Sequence, residues 1–94
     1  MKGYWLARIN VDDKEAYKEY AKRAGPAIIK YGGKFLVRGG KKITTEGEES
    51  PRTVIIEFSS FFIAESFFNS KEYQEAHIIL KGVVVRHHQI IEGT

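Results

Sequence analysis

The spacing of apolar residues changes period along this chain, and the order of those changes constrains the fold more than any single motif does. Alternation marks a strand, because successive side chains leave a strand on opposite faces; recurrence near every 3.6 residues marks a helix. Residues 4–10, YWLARIN, alternate, with Trp5, Ala7 and Ile9 on one face and Tyr4, Leu6 and Arg8 on the other, both faces reading as largely buried. Asp12 then offers a helix cap with Glu15 three residues on. Ala16, Tyr17, Tyr20, Ala21 and Ala24 follow at helical spacing, leaving Lys14, Lys18, Glu19 and Lys22 outside. Pro26 removes a helix bond and crowds the preceding turn, so a break is expected at Gly25 with a fresh turn opening at Pro26.

In KYGGKFLVRGGKK, residues 30–42, the first glycine pair supplies the left-handed backbone that ends a helix, and Lys34 to Arg38 reads as a second strand. Gly39-Gly40 marks a turn or bulge into the polar stretch KKITTEGEESP, where a short hairpin extension is expected at Ile43 to Thr45. RTVIIEF, residues 52–58, is dense in β-branched residues and reads as a central strand. Ser59 or Ser60 caps a second helix through Phe61, Ala64, Phe67 and Phe68; Ser70 caps a further segment running to Lys81 and closed by Gly82. Phe62, Ile63, Ile78 and Ile79 exceed one apolar stripe and are candidates for an interface. VVVRHHQIIEG ends the chain with a strand near Arg86 to Glu92. The order β-α-β-β-α-β describes an α+β, ferredoxin-like unit, one domain over residues 1–94, whose right-handed crossovers give a four-stranded antiparallel sheet in the order 4-1-3-2.

Composition narrows the function classes. The chain has 94 residues, no cysteine and a net charge of +3. Without cysteine neither a disulfide framework nor a thiolate metal site can form, which favours the cytoplasm. The first residues lack the apolar run that a membrane span needs. The charge is segregated: residues 12–42 carry a net +5 and residues 43–75 a net −5. Complementary faces explain this better than an uncompensated basic stripe for nucleic acid.

Taken together, KGYWLARI, YKEYA, KYGGKFLVRGG, EG, PR, IIEF, SKEYQEA and IIEG, in that order, resemble a bacterial family labelled domain of unknown function 1330. The resemblance covers nearly the whole chain and implies a dimeric α+β barrel, two copies packed sheet against sheet with helices outside. That superfamily includes cofactor-independent monooxygenases, haem-degrading enzymes, isomerases and ligand-sensing domains, so the fold does not choose an activity. Where family members often carry Trp-Tyr in the second helix, this chain has Phe67-Phe68, and where an arginine often follows it has Leu80.

Three constellations could carry chemistry. Arg8, Arg38 and Glu57 fall on three neighbouring strands, so Glu57 could sit between the guanidiniums as a structural ion pair, or leave one arginine free to hold a carboxylate or phenolate. Tyr17 and Tyr20, with Tyr4, Trp5 and Tyr73, read as core rings or as the aromatic wall of a pocket whose polar groups come from Arg38, Glu57 or His77. His87 and His88 are strand neighbours pointing to opposite faces, and His77 lacks a helical partner, so no metal site is expected. The glycine pairs run from helix into strand and lack the order of a phosphate loop. The central strand lacks the rings on which an RNA-recognition domain stacks bases.

The reading is a homodimer with a small-molecule pocket, needing no cofactor, metal, membrane or nucleic acid. Its ligand is a small organic acid or phenolic compound. In an enzyme, Arg38 holds the anion with Arg8, Tyr17, Tyr20 and Tyr73 around it, and His77 or Glu57 serves as acid or base. The alternative is a ligand-binding or assembly module without turnover.

Overall fold

A computed structural model describes residues 1–49, 52–82 and 84–94. Its elements are β1 (Gly3–Val11), α1 (Lys14–Lys30), β2 (Lys34–Arg38), β3 (Arg52–Phe58), α2 (Phe61–Phe68), α3 (Lys71–Ile79) and β4 (Val84–Glu92). The strands form one antiparallel sheet ordered β2-β3-β1-β4, the expected 4-1-3-2 read from the other edge. Ser50 and Pro51 of the polar stretch, and Val83 ahead of β4, lie outside the described residues. Among the described residues no helix is long and apolar enough to cross a membrane.

Strand parity sets the layering. In β3, Val54, Ile56 and Phe58 are buried while Thr53, Ile55 and Glu57 are half-buried, and in β1 Trp5, Ala7 and Ile9 are buried on the same side. The helices cover that side. Serine caps fix both helices of the second crossover: Ser60 Oγ accepts from the Ile63 amide at 3.1 Å, and Ser70 Oγ accepts from the Tyr73 amide at 3.1 Å while donating to the Phe67 carbonyl at 2.7 Å. Each satisfies a backbone group that the helix itself leaves unpaired.

Four expectations are corrected. The cap of α1 is Asp13, one residue later than Asp12, with Oδ1 accepting from the Ala16 amide at 3.0 Å. The helix runs unbroken through Pro26. Gly25 makes this passage cheap, because the residue before a proline is normally driven out of the helical region by its own Cβ, and glycine has none. Pro26 lies on the exposed side, where water can take the carbonyl bond that it leaves unmade. Residues 41–49 form a loop with no strand at Ile43 to Thr45, and Ile43 is 86% exposed. Finally, α3 ends at Ile79 rather than Lys81, with Gly82 at φ 79° beyond it.

At the end of α1 the glycine pair divides its work. Gly32 holds φ 72°, and its amide donates to the Ile29 carbonyl at 2.9 Å while the Gly33 amide reaches the Ile28 carbonyl at 2.8 Å, the paired bonds of a Schellman stop. Gly33 serves close approach instead: a Cβ there would stand 2.7 Å from Ile28 Cγ2 and 2.9 Å from Phe58 Cε1.

Candidate functional site

The helix-facing side of the sheet can be read rung by rung from the pairing register. One rung is Phe35, Ile56, Trp5 and Ile90; the next is Arg38, Val54, Ala7 and His88; the third holds Arg52, Ile9 and Arg86. On the second rung the floor consists of Val54 and Ala7, and α1 places Ala21, Ala24 and Gly25 above it. Small residues on both layers leave a cleft of about 180 Å³ between α1 and the sheet. Its walls are the rings of Tyr17, Tyr20, Phe35 and Trp5, and its charged or imidazole groups are Arg38, Arg52 and His88, with no carboxylate in the lining among the described residues.

Arg38 reaches this cleft because β2 carries a bulge. Phe35 pairs with Ile56 and Val37 with Ile55, so Leu36 is the extra residue. The bulge reverses the parity beyond it and turns Arg38 to the helix side, opposite Val54. Its guanidinium lies over the Phe35 ring, 3.6 Å from the centroid. The Arg52 guanidinium lies 5.6 Å from the Tyr17 centroid and rests against Gly39, where a Cβ would come within 2.9 Å of Nη1. Gly39, at φ 69°, therefore gives Arg52 the room to lie in the cleft wall.

Across the sheet stands His88, edge-on to Trp5 at 5.0 Å between centroids. Burial pushes its pKa down to about 3, helped by the nearby Arg86, His77 and His87, so the ring is neutral at neutral pH. His88 Nε2, Trp5 Nε1 and Arg52 Nε are buried nitrogens without a hydrogen-bond partner among the described residues, and all three belong to residues of this cleft. None of the three nitrogens has surface open to the cleft, so they are packed within its wall.

Behind the cleft runs a polar chain. The Tyr20 and Tyr73 hydroxyls are 3.0 Å apart, Arg86 Nη1 donates to the Tyr73 hydroxyl at 3.2 Å, and Arg86 Nη2 donates to His77 Nδ1. Burial raises the Tyr20 pKa well above the usual phenol range and raises that of Tyr73 above its ordinary value. Burial, then Arg86, lowers that of His77. These groups hold the Tyr20 ring in the cleft wall.

The expected residues therefore separate. Arg38, Tyr17, Tyr20 and Trp5 meet in the cleft. Tyr73 stands outside the lining but backs two residues of it, its hydroxyl on that of Tyr20 and its ring edge-on to Trp5, and His77 stands behind His88, 6.2 Å between centroids. The Arg8, Arg38 and Glu57 constellation does not form. Glu57 lies on the open face, accepting from the Tyr4 hydroxyl at 3.3 Å with Lys2 Nζ 3.8 Å away. Arg8, on that same face, pairs with Thr53 in register and donates to the Glu48 carbonyl at 3.0 Å. Tyr4 faces away from the cleft with them. Arg52 and His88 are the residues that sequence reasoning missed, although strand parity placed both: Arg52 is two before Val54, and His88 two before Ile90.

Comparison with known proteins agrees with this architecture. No functionally curated protein is similar in sequence. A protein of unknown function from Rhodopseudomonas palustris superposes with a TM-score of 0.81 at 19% identity, covering 99% of this chain and 82% of its own. A dimeric ferredoxin-like protein of unknown function from Jannaschia sp. CCS1 gives 0.70 at 12% identity, covering 99% and 100%. SnoaB, a cofactor-independent oxygenase from Streptomyces nogalater, gives 0.65 at 10% identity, covering 99% and 93%. The model of the domain of unknown function DUF1330 matches residues 2–94, and the chain belongs to that family.

Proposed function

We propose that the protein is a homodimeric small-molecule-binding domain whose cleft between α1 and the sheet takes a small organic anion. The observation that carries this reading is the pairing of two guanidiniums with a lining free of carboxylates. A guanidinium held flat against a ring offers its edge to a carboxylate or phenolate and makes two parallel hydrogen bonds. At about 180 Å³ the cleft is smaller than sites for drug-sized ligands, roughly 300–1,000 Å³, and suits a single ring. The direct test is calorimetric titration with benzoate. Micromolar to millimolar binding that weakens at least tenfold in Arg52→Gln supports the reading; no binding to the parent overturns it.

The dimer follows from the other face of the sheet. Leu6 and Ile55, cross-strand partners, are only half-buried there, and Val37 and Ile91 are 36% and 44% exposed. A second copy packed sheet to sheet covers them, as the description of the Jannaschia neighbour as dimeric supports. Sedimentation at micromolar concentration should show two copies, and a stable monomer would contradict the pairing.

A cofactor-independent enzyme is the second reading, favoured by the likeness to SnoaB. The acid–base group it would use is His88, since Glu57 and His77 lie outside the cleft. Loss of a phenolic substrate under air, absent in His88→Phe, would establish turnover.

A further inference from the structure

Exposure grades the cleft from mouth to inner end. Arg38 and Ala21 are exposed, and Arg52, Tyr17, Gly25 and Phe35 are half-buried, so these residues form the mouth, on the side of the edge strand β2. Ala7, Ile9, Ala24, Ile28, Val54 and Ile56 are buried and form the inner end. Both guanidiniums therefore belong to the mouth, each against one of its rings, Arg38 on Phe35 and Arg52 on Tyr17.

Inside the mouth the lining is hydrocarbon, and the polar atoms of its two exceptions are turned elsewhere. The Tyr20 hydroxyl is buried against that of Tyr73, 3.0 Å away, and the Trp5 indole nitrogen has no open surface. The half-buried His88 keeps its Nε2 closed off in the same way. A polar group carried inside gives up its water for no bond in return, a loss of about tenfold or more in affinity. A hydrocarbon group instead gains about fourfold for each methylene that it buries. Since one water takes about 30 Å³ of liquid, the cleft of about 180 Å³ has room for roughly six carbon atoms.

Resting on the anion-binding reading above, we infer that the ligand is an apolar monocarboxylate bound head outwards: its acid group lies on Arg52 and Arg38 at the mouth, and a hydrocarbon body without a second polar group fills the inner cleft. The mouth selects the charge, and the inner end selects against every other polar substituent. A site that recognised the anion alone would treat a short acid and a ring-bearing one alike.

The test is calorimetric titration of the parent with acetate, benzoate and 4-hydroxybenzoate, repeated on Arg52→Gln and on two variants that narrow the inner cleft without touching a charge, Val54→Leu and Ala7→Val. Thermal melts confirm which variants are folded, and the comparisons on the parent hold whether or not both narrowing changes are tolerated. The parent should bind benzoate at least about tenfold more tightly than acetate, and 4-hydroxybenzoate about tenfold more weakly than benzoate. Narrowing the inner cleft should weaken benzoate several-fold and leave acetate unchanged, whereas Arg52→Gln should weaken both acids and leave their ratio unchanged. Equal binding of acetate and benzoate, still dependent on Arg52, overturns the apolar body and leaves the anion site standing. Binding of 4-hydroxybenzoate as tight as that of benzoate overturns it too, and so does a benzoate affinity untouched in a folded, narrowed variant. If no acid binds the parent, the anion reading fails and this inference with it.

Discussion

Two ends of the same layer between helices and sheet are filled in opposite ways. Where α2 and α3 cover β1 and β3, large rings interlock: Phe67 lies 5.1 Å from Phe58, 5.3 Å from Trp5 and 4.8 Å from Tyr73, and Phe67 and Tyr73 are fully buried. One rung further along, Ala7 and Val54 face Ala21, Ala24 and Gly25, and the layer opens into the cleft. The backbone scaffold is continuous between them. Side-chain volume alone decides which end is core and which is pocket, because closely packed interiors do not collapse around missing atoms.

The sharpest way to test that contrast is to truncate the filled end. Phe67→Ala should cost about 3–5 kcal/mol, since it loses both transfer energy and the contacts that line the new cavity. Val54→Ala, on the floor of a void already present, loses about two methylenes' worth of burial, roughly 1–2 kcal/mol, without a new cavity term. Denaturant melts should show the Phe67→Ala loss clearly larger, about twofold or more at the centres of those ranges. Equal losses would mean that the cleft closes in solution.

Gly33→Ala probes the same end by adding an atom. Its Cβ must displace Ile28 and Phe58, side chains pinned in the core, so a loss of roughly 1–3 kcal/mol is expected. Gly32→Val acts through backbone conformation instead and should cost about 1–2 kcal/mol, because φ 72° is disfavoured for a side-chain-bearing residue. A neutral Gly33→Ala would show that the filled end has slack.

The open end carries a pH signature. His88 is held neutral in the fold chiefly by burial, with a pKa of about 3 against an ordinary 6.5, and Arg86, His77 and His87 are the titratable or charged groups that add to the shift. Below pH 6.5 the unfolded chain therefore binds a proton at His88 that the folded one refuses. Stability is fully present above pH 6.5 and falls as the pH drops from there towards 3. Melting temperatures measured between pH 7 and 4 should fall less steeply in His88→Phe than in the parent. Parallel slopes would remove His88 as the buried neutral group.

The filled end was the more legible of the two. Periodicity exposes Trp5, Ile56, Phe58 and Phe67 as inward residues, and a serine before α2 and before α3 announces their starts. The cleft was harder to see, because two local events invert simple counting. The bulge at Leu36 sends Arg38 to the helix side, away from Glu57, and nothing in KFLVR marks which residue is extra. Gly25 lets α1 continue over Pro26, so the small residues Ala21, Ala24 and Gly25 share one roof. Charge logic also misled: a carboxylate on β3 suggested a partner for two arginines, whereas parity alone puts Glu57 on the opposite face from Arg52. A void is a property of residues that are absent, and pattern reading weighs those that are present.

The smallest stability effect is expected at Arg38, and it separates the two accounts of that residue. Were Arg38 the partner of a buried Glu57, replacing it would strand a carboxylate and cost about 3–5 kcal/mol. In the fold, Arg38 is exposed on its bulged edge strand, with its guanidinium over Phe35 and Glu57 across the sheet beside Tyr4 and Lys2. Arg38→Gln should therefore melt within about 0.5 kcal/mol of the parent, as exposed substitutions usually do. Its effect should appear in binding, where the second guanidinium is lost from the anion end and benzoate affinity falls several-fold, less than in Arg52→Gln because Arg38 is the more solvated of the two. Combining Arg38→Gln with Glu57→Gln should then add nothing to either measurement, since residues on opposite faces share no contact. Rescue of stability by the second change would join the two faces of the sheet after all, and would place the arginine in the structure rather than in the cleft.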